Sequence, residues 1–233
     1  MVMRGNACGL LTVCVAGALG SGAAARGDVV YAQDFQTGTS FPGWSTGATQ
    51  TAPAFSRFLG RFSSQLVTLT LTLPALPPPG PDFGEPGGGG DGGGGSPGPY
   101  WTYVLDFDFY CIDSWDGYGM YGPDRFIVRA GGVTLLSETF ANQHEYQSYP
   151  GAPVLGPEFL GFNPTWRDSI YHLSLAFVVP GGPTQLAFEA TGLSSLHDES
   201  WGIDNVVVSA VLVPAPWSAG VLGLAWWARR RRR

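Results

Sequence analysis

The chain has 233 residues, with twelve arginines, no lysine, eighteen acidic residues and a formal charge of −6 at pH 7. Arg4 and Arg229 to Arg233 lie in the terminal segments, so the body between them sets six arginines against eighteen carboxylates. Such an acidic body excludes nucleic acid as a partner, because phosphate backbones are bound by cationic surfaces. Cys111 is the only cysteine outside the first 25 residues, which excludes an intramolecular disulfide in the body.

The N-terminus, MVMRGNACGLLTVCVAGALGSGAAARGD, has one early arginine, an apolar run and small residues at Ala23 and Ala25. That is the pattern of a secretory signal peptide over residues 1–25, cleaved near Ala25. The body, residues 26–213, is the size of one domain.

Val29 to Phe35 reads as a first strand, followed by a turn at Phe41 to Trp44 and a polar loop to about Pro53. Strand material returns over Arg57 to Phe62 and Gln65 to Leu73. In the second of these Val67, Leu69, Leu71 and Leu73 alternate with threonines, the pattern of a half-buried antiparallel strand. Residues 75–99 are nearly all Pro and Gly, too poor in apolar surface to offset ordering entropy, and are expected to be a disordered insertion.

The strongest strand comes next, with Trp101, Tyr103, Leu105, Phe107, Phe109 and Cys111 on one face. Cys111 is expected to be a buried small hydrophobe. The loop Ile112 to Asp124 leads into a hairpin, Arg125 to Ala130 and Val133 to Phe140, around Gly131 and Gly132. A long loop from Ala141 to Arg167 is followed by strands at Tyr171 to Val179 and Gln185 to Thr191, and by a closing strand at Trp201 to Val213. Eight or nine strands, with no helix before the tail, predict an all-β fold: a two-sheet antiparallel β-sandwich of jelly-roll type.

Beyond the body stand Val213, Pro214, Ala215 and Pro216, an apolar segment from Trp217 to Ala228, and Arg229, Arg230, Arg231, Arg232 and Arg233. The order resembles the PEP-CTERM sorting tail of exported bacterial proteins, with Ala215 where that family usually has Glu. The resemblance implies an exosortase-like processing enzyme as partner and transient or permanent membrane anchoring through residues 214–233. An apolar helix there is short for the ~20 residues that cross a bilayer core, and the arginines would keep its end cytoplasmic. The body is also similar to lectin-like or carbohydrate-binding-module-like sandwiches, through FYCIDSWDG, the DRF strand opening and ESWGIDNVVV.

Strict alternation through the closing strand places Asp204 on one face with Val206 and Val208, where a carboxylate must be hydrogen-bonded, paired or bound to metal. If first and last strands meet, Asp34 or the Gln33 carbonyl could join Asp204 around a structural Ca²⁺; backbone amides or Arg125 are the other partners open to Asp204. A second acidic group, Asp113, Asp116 and Asp124 with Glu199 as a neighbour, lacks the spacing of an EF-hand and reads as a solvated turn. Trp115, Tyr118, Tyr121 and Trp166 lie in loops where aromatic rings could stack on a sugar.

The sequence gives no reason to pair any two of its carboxylates as glycoside hydrolysis requires, and His144, His172 and His197 suggest no triad. The sequence therefore points to an exported, non-catalytic protein of the cell envelope or extracellular matrix. Its alternative is a secreted carbohydrate-binding module that binds polysaccharide and is stabilised by Ca²⁺.

Overall fold

The computed structural model describes residues 27–74, 100–143 and 146–213. The expected signal segment, the Pro/Gly insertion at 75–99, the tail at 214–233 and His144 lie outside the described residues. The strands are β1 (Asp28–Gln33), β2 (Thr49–Ala52), β3 (Phe55–Phe62), β4 (Leu66–Leu73), β5 (Tyr100–Asp113), β6 (Arg125–Ala130), β7 (Val133–Thr139), β8 (Leu155–Glu158), β9 (Asp168–Phe177), β10 (Gly182–Thr191) and β11 (Glu199–Val213). Among the described residues there is no helix long and apolar enough to cross a membrane.

The strands form two antiparallel sheets, as the alternation patterns predict. One has the order β2-β3-β11-β5-β9-β8 with β1 also paired to β11; the other is β4-β10-β6-β7. The strand β5 is paired to β11 from Asp113↔Glu199 to Tyr100↔Val213, and its other edge pairs with β9. The β6–β7 hairpin turns on Gly131 and Gly132, whose φ values of 54° and 83° are those that the preferred two-residue hairpin turn demands.

The two sheets enclose a single main core. Tyr103, Leu105, Phe107, Phe109 and Cys111 of β5 all point into it and meet Val67 and Leu69 of β4, Phe126 and Val128 of β6, and Leu186 and Phe188 of β10. Phe109 is at the centre of its aromatic part. Its ring stacks on Phe126 at 4.1 Å and 17° and meets the edges of Trp115 and Phe140. A smaller cluster of Phe55, Phe58, Tyr110, Ile112 and Leu160 buries the opposite face of the larger sheet at one end of β5.

Two strands were not expected. Residues 49–52 are β2, within the expected polar loop, and Leu155–Glu158 is β8, within the expected long loop. Both are four-residue edge strands of largely exposed or half-buried residues, so they carry no apolar alternation to be read.

The closing strand also departs from strict alternation. Ladder pairing with β5 shifts between Asp204 and Val207, and Asn205 takes a φ of 51°. This bulge puts Ile203 and Val206 both in the main core. Asp204 is therefore turned away from Val206 and Val208, toward Ser56 and Tyr110 in the smaller cluster. The two-fold side-chain period fails wherever one strand carries an extra residue.

Replacing Phe109 by alanine should destabilise the protein by about 3–5 kcal/mol, the range for deleting a buried phenylalanine. Denaturant unfolding monitored by tryptophan fluorescence measures it; a loss under about 1 kcal/mol would contradict the central position given to this ring.

Candidate functional site

The end of β5, the following loop and the start of β11 gather most of the buried charge. Asp113, Asp124, Asp168 and Glu199 are all buried, so the acidic group is not a solvated turn. The reason lies in the chain path: Asp113 pairs with Glu199 across the β5–β11 ladder, and the loop between β5 and β6 folds back over that end through Asp124 N–H to Gly117 O at 2.8 Å.

Two sub-sites share this region and differ in how charge is met. Arg61 from β3 forms an ion pair with Asp113 and donates to Ser200 Oγ, and its guanidinium lies 5.0 Å from the centre of the Phe162 ring. Asp168 accepts the N–H groups of Asp113 at 2.9 Å and Leu160 at 3.0 Å. Burial raises the Asp168 carboxyl to about 6, against the opposing pull of the Leu160 N–H and Arg61. The same burial lowers the Arg61 guanidinium from its usual value.

The second sub-site consists of Asp116, Asp124 and Glu199, each with a carboxylate oxygen within 4.8 Å of the others, so the three could hold a metal ion. Asp124 Oδ2 accepts the Asp116 N–H, while Glu199 Oε2 accepts the Ser194 N–H. Burial raises Asp124 to about 6, and the charges of Asp116 and Asp198 add to the shift. Burial likewise raises Glu199 to about 7, reinforced by Asp124, Asp116 and Asp198. Nearby, Asn142 donates from Nδ2 to the carbonyls of Cys111 and Asp113, both at 2.9 Å, tying the 141–143 segment to the end of β5. The Cys111 thiol is held well above its usual range by burial, so it stays protonated as a core group.

The first and last strands meet as expected, with Gln33 opposite Val206, and Asp34 and Asp204 are each met by different protein donors. Asp34 is exposed, its Oδ1 accepting the Gln36 N–H at 3.1 Å. Asp204 is fully buried, and protein donors satisfy both of its oxygens: Ser56 Oγ at 2.6 Å and the Tyr110 hydroxyl at 3.1 Å on Oδ2, the Asn205 N–H at 2.8 Å on Oδ1. Burial raises its carboxyl above the usual range. Neither Arg125, which donates to Ser137 O, nor a metal is needed to account for it.

The loop aromatics also separate. Trp115 is 0% exposed, with its indole N–H given to Ser200 O at 2.8 Å, so it is a core residue and has no face to offer a sugar. Tyr118 and Tyr121 are 55% and 73% exposed. Trp166 is half-buried, on the separate segment that precedes β9. Tyr146, 72% exposed, joins Tyr118 with ring centres 6.0 Å apart at 21°. The backbone fixes this pair: Tyr118 N–H donates to Tyr146 O at 2.9 Å, and at Gly117 (φ 64°) a side chain would place its Cβ 2.1 Å from that oxygen. Only glycine fits there. Tyr146 was legible in sequence as an aromatic in a polar loop, but nothing local joins it to Tyr118.

No protein-family model matches this chain, and no curated protein sequence does. Similar solved structures include the CBM22-1 xylan-binding domain of Xyn10C from Paenibacillus barcinonensis: 14% identity, 83% of this chain, 99% of that one, TM-score 0.35. A family 35 carbohydrate-binding module from an environmental isolate is similar at 10% identity over 82% of this chain and 94% of that one, TM-score 0.27. Dimeric latent PorU from Porphyromonas gingivalis is similar at 10% identity over 83% of this chain, TM-score 0.41, and the match spans only 14% of PorU. Likenesses this distant carry no argument about ligand or activity.

The raised carboxyls set the sign of a pH dependence. Asp124, Asp168 and Glu199 release their protons at higher pH folded than unfolded. The folded state therefore binds more protons in the window from about pH 4 to about pH 7. Their contribution to stability is full below about pH 4 and lost as the pH rises through 6 to 7. The chelator-treated protein should thus melt at progressively lower temperature from pH 5 to pH 8. Thermal melts in EDTA across that range check it, and a melting temperature that rises over the range contradicts the assignment.

Proposed function

We propose that this chain is a non-catalytic, exported protein whose sandwich acts as a Ca²⁺-stabilised carbohydrate-binding module, delivered by its PEP-CTERM-like tail to the cell envelope or extracellular matrix. The observation that supports binding is the tyrosine rim. Tyr118 and Tyr146, stacked across two loops, and Tyr121 stand 55 to 73% exposed, while most of the other described aromatic side chains, Phe159 at 61% apart, are buried or half-buried. Exposed, backbone-braced tyrosines offer an apolar face and a hydroxyl together, as a pyranose ring requires. The acidic body, six arginines against eighteen carboxylates, favours neutral polysaccharides over anionic ones.

Delivery rests on the two ends of the sequence. In this reading the signal segment directs export. The tail is then held in the membrane by residues 217–228, with the arginines inside, until an exosortase-like enzyme acts near Pro214 to Pro216.

Affinity electrophoresis against a panel of neutral and anionic polysaccharides tests the binding. The wild-type protein should be retarded by at least one neutral polymer, and the Tyr118→Ala/Tyr146→Ala double variant roughly tenfold less, given about 0.5–1.5 kcal/mol per aromatic contact. Both side chains are exposed, so the variant's melting temperature should stay unchanged. Retardation by none of the neutral polymers, or an unchanged response of the variant, defeats the reading. For delivery, the intact mass of the mature protein should lack residues 1–25 and the arginine cluster; a retained cluster would mean that the tail is not processed.

A further inference from the structure

We propose that Asp116, Asp124 and Glu199 are the protein ligands of a single Ca²⁺ that clamps the loop between β5 and β6 onto the start of β11. Three carboxylates converge to within 4.8 Å from positions 116, 124 and 199, two of them buried. Asp124 Oδ1 supplies the independent observation: it is fully buried and has no hydrogen-bond partner. A buried carboxylate oxygen without a donor is costly to keep and is satisfied by a cation. Asn142 Oδ1, on the segment whose Ala141 bridges to Asp116, is a second buried oxygen without a partner.

Among the described residues no arginine or histidine forms an ion pair with Asp124 or Glu199. The chain has no lysine. Arg61 is engaged by Asp113, Arg129 by Glu189 at 2.8 Å, Arg125 by Ser137 and Arg57 by Gly38 and Thr49. Arg167 lies over Phe159. Asp113, which an acidic-loop reading would include, is excluded because Arg61 already neutralises it.

The donor set selects the ion. All the converging atoms are oxygens, and the neighbouring Cys111 thiol is committed to the core. Hard oxygen donors of this kind suit Ca²⁺, which accepts carboxylates and carbonyls at irregular angles and completes its six to eight ligands with water or main-chain oxygens. Bound there, the ion joins Asp116, two residues before Tyr118, to β11, and so braces one side of the tyrosine rim. The site stands on its own carboxylates and holds whether or not the tyrosines bind a glycan.

The test uses the full-length protein after exhaustive EDTA dialysis, with Ca²⁺, Mg²⁺ and Tb³⁺ as probes. Ca²⁺ should raise the melting temperature in proportion to the logarithm of its concentration, as mass action requires of a native-state ligand. Tb³⁺ should show luminescence sensitised by the adjacent Trp115, displaced by Ca²⁺ at one equivalent per chain. Glu199→Gln and Asp124→Asn should each weaken Ca²⁺ binding roughly tenfold or more, since even outer-shell changes around a metal cost 10- to 100-fold. Removing one buried charge should leave their EDTA-state melting temperatures equal to or above that of the wild type, so loss of binding cannot be confused with loss of fold. Asp34→Asn should bind like the wild type. No Ca²⁺-dependent shift in the wild type, a response to Mg²⁺ alone, or undiminished Ca²⁺ affinity in the Asp124→Asn/Glu199→Gln double variant would each overturn the assignment. Glycan retardation measured alongside separates the two proposals: a Ca²⁺ response without glycan binding removes only the sugar reading.

Discussion

The centre of the larger sheet depends on β11 being hydrogen-bonded along both edges. One edge is taken by β5 over the whole strand. The other is divided, with β3 pairing at Trp201 to Ile203 and β1 from Val206 to Ala210. The change of partner falls at the Asn205 bulge, where an extra residue in a left-handed conformation lets the strand leave one neighbour and meet the next. Asparagine tolerates that conformation better than the valines that follow it. The bulge also decides the fate of Asp204, which would otherwise enter a core with no donor for it. It faces instead two hydroxyls and its neighbour's N–H.

The same ladder creates the electrostatic problem at the far end of the sheet. Pairing Asp113 with Glu199 brings two acidic positions side by side, and the returning loop adds Asp116 and Asp124. Opposite-charge pairs stabilise neighbouring strands and like charges do the reverse. One arginine, Arg61, enters from β3 and settles Asp113. Burial raises the proton affinity of Asp124 and Glu199, and it makes this end of the sandwich responsive to pH and cations. Tyr118 stands two residues from Asp116, so that part of the rim shares a loop with Asp116 and Asp124.

Much of the fold was legible because its signals are local. Val67, Leu69 and Leu73 are buried as their alternation with threonine indicates, and so is the whole Tyr103 to Cys111 face. The β6–β7 hairpin lies where its two glycines put it. The two missed strands are edge strands, held by partners rather than by a buried face, and their residues give no periodic signal. The acidic group was visible as residues, but its burial was not, because Asp116 and Glu199 are brought together by strand pairing across more than eighty positions of sequence. Trp115 and Tyr118 illustrate the same limit within one loop: three residues apart, one is wholly buried and the other mostly exposed.

The sequence by itself determined where most strands lie, which of their faces are apolar, that the body is acidic with few arginines and no lysine, and that one cysteine stands alone. These follow from periodicity and composition, which are properties of short windows and of counts. Only the tertiary structure decided that Asp204 turns away from the main core, that Arg61 is given to Asp113 rather than to its neighbours, that Asp116, Asp124 and Glu199 converge, and that Tyr146 joins Tyr118. Those outcomes depend on register, a bulge and the path of a loop. A side chain's neighbours across the sheet are set by chain segments far away in sequence, and no local pattern records them.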